Sequence, residues 1–201
     1  MTKSAIIIKG DGTGPELVDA MVKVLEECNS KIKLIQCEGG SEWWTKNGGN
    51  SYLSDEVWKL LENSDACFKG PTTTIPTSQA PRSVAVSIRQ KFNLYANVRP
   101  IKTYRNSTHQ LDFVCVREAT EGLYSGIEFK IGEDSAIAIR KITKKSCEKV
   151  VRDGFKLAGE NKFKKIFVIT KGNILKETDG IFWKSVQQIQ SEFDEIFVEE
   201  Y

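Results

Sequence analysis

Ala5-Ile6-Ile7-Ile8-Lys9-Gly10-Asp11-Gly12-Thr13-Gly14-Pro15-Glu16 is the stretch from which the fold is read. Four small or β-branched residues make a short strand. Three glycines alternate with polar residues in the turn that follows. Pro15 suits the first turn of a helix, where no backbone N–H is needed. Leu17, Met21, Val24, Leu25 and Cys28 then recur at helical spacing and are the expected buried face. A dinucleotide fingerprint of the form G-x-G-x-x-G would need glycine at position 15, so the loop reads as a tight turn rather than a phosphate cradle.

The same alternation continues outward. Ile32 to Cys37 is a second strand, Asp55 to Leu61 a helix capped by Ser54, and Ala66 to Phe68 a buried strand running into Gly70-Pro71-Thr72-Thr73-Thr74. Strand and helix in turn indicate an α/β fold on a parallel sheet. After Arg99-Pro100 the pattern changes. Leu111 to Val116 is a strand. Ile127 to Ile131 and Ser135 to Ile142 pair as a hairpin around Gly132-Glu133-Asp134. A helix capped by Thr143 runs from Lys144 to about Glu160, a strand from Lys165 to Ile169, and a helix from Ile174 to about Phe193. Ile196 to Tyr201 is strand-like, which suggests a chain cut within a larger fold.

Composition narrows the function. The 201 residues carry 29 Lys+Arg against 27 Asp+Glu, a net charge of +2 that gives no electrostatic case for nucleic acid. No apolar run reaches the roughly 18 residues of a membrane span. The N-terminus lacks a signal-peptide pattern, so a cytoplasmic protein is expected. Five cysteines, at 28, 37, 67, 115 and 147, form no C-x-x-C pair and most lie in apolar stretches, so buried free thiols are expected. His109 is the single histidine and sits in a polar loop, which disfavours Ser-His-Asp and Cys-His chemistry.

Four arginines suit carboxylate binding, since guanidinium groups hold carboxylates in bidentate fashion. Arg82 and Arg89 lie seven apart and are expected on one helix face. Arg99 ends the run Leu94-Tyr95-Ala96-Asn97-Val98, and Arg117 ends Phe113-Val114-Cys115-Val116. Surface pairing with Asp or Glu is the competing reading for all four. Tyr124 is either a packed turn aromatic or, beside a cation, a general acid. Lys171, at a strand-to-helix junction, is either solvated or able to reach a site lined by strand ends.

In sequence order, Gly10-Asp11-Gly12-Thr13-Gly14-Pro15-Glu16, Lys69-Gly70-Pro71, Arg82-Ser83-Val84 with Arg89, Leu94 to Pro100, Arg117-Glu118 with Thr120 to Gly126, and Lys171-Gly172-Asn173 resemble the isocitrate/isopropylmalate dehydrogenase family of β-decarboxylating dehydrogenases. The resemblance implies that family's fold in incomplete form: residues 1–99 as part of a large parallel-sheet domain, and residues 100–201 as a small α/β domain with an intersubunit clasp at about 125–142. It implies oxidation of a small hydroxy acid by NAD or NADP, then decarboxylation, with Mg²⁺ or Mn²⁺, in a homodimer. Arg89, Arg99 and Arg117 would clamp substrate carboxylates, and Ser83 would contact the carboxylate peculiar to isocitrate. Tyr124 would protonate the enolate. Lys171 would assist proton removal from the hydroxyl, in the partner's site. Thr73 and Asn173 would contact the cofactor.

The resemblance places the metal-binding aspartates beyond Tyr201, so a chain of this length alone is expected to be inactive. The sequence departs from the family pattern at Ala85 and Ala119, which replace usual asparagines, and in the loop 74–81, which lacks the usual glycines. Ser83 favours isocitrate as substrate. Isopropylmalate or homoisocitrate, or a non-catalytic subunit or assembly half, are the alternatives.

Overall fold

A computed structural model describes residues 3–28, 30–77 and 79–201. Met1, Thr2, Asn29 and Ser78, the last in the loop 74–81, lie outside the described residues. The chain forms two compact units, Met1–Ile88 and Arg89–Tyr201.

In the first unit, β1 (Ser4–Ile8) lies between β2 (Lys33–Cys37) and β3 (Ala66–Lys69), and both pairings are parallel. α1 (Gly14–Glu27) connects β1 to β2, with Pro15 in its first turn. α2 (Ser41–Asn47) and α3 (Asp55–Glu62) lie between β2 and β3. Ser54 caps α3, its Oγ accepting the Val57 N–H at 3.2 Å. Ile6, Ile7 and Ile8 are fully buried because β1 is central. Burying such side chains stabilises by roughly 1.5–3 kcal/mol each.

Two expectations for this unit are corrected. The buried face of α1 is Val18 and Val22, with Met21 packed beside them, while Leu17 and Val24 are 55% and 62% exposed and Cys28 is exposed. Both sets keep helical spacing, and only contact with Ile7 and Leu34 selects between them. β3 is not buried, since Ala66, Cys67 and Phe68 are exposed along an edge strand that pairs on one side only.

α4 (Val84–Lys91) precedes an antiparallel pair, β4 (Ala96–Lys102) against β5 (Asp112–Glu118). Arg82 stands ahead of α4, so it does not share a helix face with Arg89. Arg99 lies in the middle of β4 rather than at its end, whereas Arg117 is next to last in β5.

β6 (Gly122–Ile131) and β7 (Ser135–Lys141) form the expected hairpin, with Ile131 opposite Ser135 across Gly132-Glu133-Asp134. α5 (Lys144–Glu160) follows its Thr143 cap, whose Oγ1 accepts the Ser146 N–H at 3.3 Å. β8 (Lys165–Val168) pairs in parallel with β9 (Phe197–Glu200) across α6 (Lys176–Gln190).

The core of this unit joins Val150, Val151 and Phe155 of α5 to Val186 and Ile189 of α6, with Val168 and Ile196. Phe155 stacks on Phe193, ring centroids 5.0 Å apart. The outward face of the β8–β9 ribbon carries Phe167, Phe197 and Tyr201, with Lys165 among them. The Lys165 ammonium lies 4.3 Å from the Phe167 ring centroid and 5.4 Å from that of Phe197, and it pairs with Glu199.

All five thiols are free, but only Cys147 is buried. Its neighbours in the chain did not distinguish it: Cys67 lies on an edge strand and Cys115 on an uncovered strand face. Among the described residues, no helix is long and apolar enough to cross a membrane.

Candidate functional site

Asp11 organises the loops at the carboxyl ends of β1 and β3, the end at which parallel sheets bind ligands. Its carboxylate is buried and accepts three backbone N–H groups: Ser41 at 3.0 Å, Glu42 at 2.9 Å and Thr73 at 2.7 Å. Burial alone would push this carboxyl up, but the three amides outweigh it and hold it below the ordinary Asp range. The Asp11 N–H donates to the Pro71 carbonyl at 2.8 Å.

These contacts need close backbone approach. Gly10 has φ +80°, and a Cβ there would lie 1.9 Å from the Pro71 oxygen. Gly40 has φ +123°, and a Cβ there would lie 2.5 Å from Asp11 Oδ2. The Gly-rich turn is therefore a structural bracket, and Asp11 engages the N–H of Thr73, a residue that is itself exposed. Ser83 caps α4, its Oγ accepting the Val86 N–H at 3.3 Å, and its own O–H stays able to donate to an anion.

In the second unit, strand register gathers several of the expected residues. Asn97 stands opposite Arg117, and Arg99 opposite Cys115, so all four share one face of the β4–β5 ribbon. Arg99 Nε donates to Asn97 Oδ1 at 2.7 Å. Arg117 Nη2 donates to the Tyr124 phenolic oxygen at 2.8 Å, and its guanidinium carbon lies 5.3 Å from the ring centroid. The Tyr124 carbonyl accepts the Gln90 side-chain amide at 2.8 Å. Arg89 is in the last turn of α4, partly buried.

The acidic residues between Arg117 and Tyr124 serve as ties. Glu118 accepts the Thr120 and Glu121 N–H groups and the Ser146 hydroxyl. Glu121 accepts both the N–H and the hydroxyl of Thr143, each at 2.7 Å. Ala119 is buried, its N–H bonded to the Tyr95 carbonyl at 2.8 Å.

Lys171 and Asn173 line a cleft of about 660 Å³ with Lys176, Trp183, Glu200 and Tyr201. Arg117 and Tyr124 are not among its lining, so the structure forms two groups in this unit rather than one. The Lys171 N–H donates to Asp179 Oδ2 at 2.6 Å. Arg140 Nη1 donates to Asp179 Oδ1 at 2.6 Å and also to the Thr178 hydroxyl. Burial would raise the Asp179 carboxyl, but the Lys171 amide and then the Arg140 guanidinium outweigh it and hold it low.

Asp11, Gln90, Arg140 and Asp179 are the residues that sequence reasoning missed. Only Asp11 carried a signal, its place between two glycines. Among the described residues, no group of three or more His, Cys, Asp or Glu is placed to hold a metal ion.

Comparison with known proteins gives a consistent result. The isocitrate/isopropylmalate dehydrogenase family model matches residues 4–201. The 3-isopropylmalate/3-methylmalate dehydrogenase of Methanocaldococcus jannaschii is 37% identical over 97% of this chain and 59% of its own length. The NADP isocitrate dehydrogenase of Rickettsia typhi is 34% identical over 97% of this chain and 41% of its own length. The crystal structure of isocitrate dehydrogenase from Methylococcus capsulatus superposes with a TM-score of 0.92 at 36% identity, over 99% of this chain and 60% of that one. The chain thus spans between two fifths and three fifths of the length of these relatives.

Proposed function

The chain belongs to the isocitrate/isopropylmalate dehydrogenase family, and from that premise we propose that it serves NAD- or NADP-dependent oxidative decarboxylation of a small 2-hydroxy acid, with isocitrate as the preferred substrate. The observation that carries the reading is the Arg117–Tyr124 hydrogen bond on a ribbon face shared with Arg99. A phenol whose oxygen accepts from a guanidinium keeps its own proton free to donate. That is the group needed to protonate an enolate beside a bound carboxylate.

In this reading Arg89, Arg99 and Arg117 hold the substrate carboxylates, and Ser83 donates to the one that isopropylmalate lacks. Lys171, acting in the partner's site, assists removal of the hydroxyl proton at Nζ. A bound nicotinamide would supply the acceptor for the C2 hydride, and once carbon dioxide has left, Tyr124 would return a proton from Oη to the enolate carbon. Thr73 and Asn173 contact the nicotinamide cofactor through their side chains. Mg²⁺ or Mn²⁺, for which the described residues form no ligand group, would supply polarisation of the hydroxyl and developing carbonyl.

Residues 1–99 are assigned to the large domain and 100–201 to the small one, with the β6–β7 hairpin as the clasp of a homodimer. The 37% identity to an isopropylmalate/methylmalate enzyme supports a second reading, in which the substrate carries an alkyl group instead of the third carboxylate. The deciding experiment measures reduction of NAD and of NADP by the natural protein with isocitrate, 3-isopropylmalate and homoisocitrate, in Mg²⁺ and in Mn²⁺. Preference for isocitrate is expected. Preference for isopropylmalate establishes the second reading, and no turnover with any acid overturns both.

A further inference from the structure

Every residue of β7 is exposed except Arg140, which is partly buried. Its guanidinium reaches Asp179 Oδ1 at 2.6 Å, and Asp179 has a side chain only 6% exposed. The other oxygen of Asp179 holds the Lys171 N–H at 2.6 Å. One buried carboxylate therefore binds two elements, one with each oxygen.

The Lys171 backbone is also held beyond this point. Its carbonyl accepts the Ile174 and Leu175 N–H groups at 2.9 and 2.8 Å. The preceding residue, Thr170, donates its N–H to the Tyr201 carbonyl at 2.8 Å and its hydroxyl to Glu200 at 2.8 Å. The side chain of Lys171 is exposed while both peptide groups that flank its Cα are fixed. Of these ties, only the one through Asp179 leads to the hairpin.

We infer that Asp179 is the positioning residue for Lys171, and that Arg140 makes this positioning depend on the β6–β7 hairpin. The inference rests on the role given above to Lys171. Removing Arg140 leaves a buried carboxylate without its cation, a state strongly disfavoured in a protein interior. Asp179 then takes up a proton or turns towards water, and either change weakens its hold on the Lys171 N–H. Arg140 therefore acts on a residue it does not touch.

The test is backbone amide hydrogen exchange at Lys171, with the Phe155 amide in the α5 core as reference, in the full chain. Arg140→Met is expected to speed exchange at Lys171 about tenfold and Asp179→Asn by about 10- to 100-fold, as for loss of a charged hydrogen-bond partner. Exchange at Phe155 stays at the wild-type rate. Arg140→Lys, which keeps a charged donor, restores Lys171 to within about threefold of wild type. An unchanged Lys171 rate in Arg140→Met overturns the inference. So does equal acceleration at Phe155, which would make Arg140 a brace of the whole unit. Exchange does not depend on turnover. Wild-type activity in Lys171→Met would instead overturn the functional reading, whatever the exchange rates show.

Discussion

The Arg117 guanidinium touches Tyr124 twice, donating to its phenolic oxygen at 2.8 Å and standing 5.3 Å from its ring centroid. The arginine thus anchors the phenolic end of the ring. Tyr124→Phe removes the proposed proton donor and leaves the guanidinium free to bind a carboxylate. It is expected to lower kcat by about 10²- to 10⁴-fold with little change in KM, the range for loss of a general acid. Arg117→Met removes both roles and is expected to raise KM as well. Steady-state kinetics on the two variants decide, and equal KM changes would separate Tyr124 from the proton-transfer step.

Ser83 caps α4, and in the function proposed above its hydroxyl proton goes to a substrate carboxylate. Loss of the cap acts alike on every substrate, whereas loss of the donor acts on isocitrate alone. Ser83→Leu is therefore expected to reduce kcat/KM for isocitrate at least about tenfold more than for isopropylmalate, roughly one charged hydrogen bond. Parallel losses on both acids would remove Ser83 from substrate discrimination.

Asp11 makes the first unit sensitive to acid. Its folded carboxyl is held below the ordinary value, because the Glu42, Ser41 and Thr73 amides outweigh burial. The contribution is complete above the unfolded value of about 3.9 and is lost as pH falls through the lower folded value. Asp11→Asn is expected to cost about 1–3 kcal/mol at neutral pH, the range for a buried donor losing a charged partner. It is also expected to flatten the decline of Tm below about pH 4. A variant with the wild-type acid profile would show that Asp11 titrates alike in the folded and unfolded chain.

One face of the β6–β7 hairpin carries Ile127, Phe129, Ile131, Ile137 and Ile139, all exposed in the single chain. A two-stranded ribbon of this kind is marginal without a covering layer. The proposed homodimer supplies that layer. Sedimentation equilibrium is expected to give twice the chain mass, and Phe129→Asp with Ile137→Asp to give the monomer. A wild-type monomer at tens of micromolar would count against the clasp.

The features legible in the sequence are those with local causes. Ser54 and Thr143 were readable as caps because a helix N-terminus recruits a hydroxyl three residues away. The hairpin was readable because its two alternating strands flank a short Gly-containing turn. The α1 face was misplaced because Leu17, Val24 and Cys28 recur as well as Val18 and Val22 do, and tertiary contact made the choice. The bracket at Asp11 joins residues 30 to 62 positions apart, and that at Arg140 and Asp179 spans 39. No window of periodicity contains such pairs. The arginines and Tyr124 could be chosen by residue type, but only strand register put Arg99 and Arg117 on one face.

Lys165, held between Phe167 and Phe197 and paired with Glu199, breaks what would otherwise be a continuous aromatic strip on the β8–β9 ribbon. A lysine so placed guards against strand-to-strand aggregation more than it stabilises the fold, since exposed ion pairs contribute about 0–1 kcal/mol. Lys165→Leu should accordingly melt within a few degrees of wild type yet precipitate at lower protein concentration. Solubility, rather than stability, is the property this residue protects.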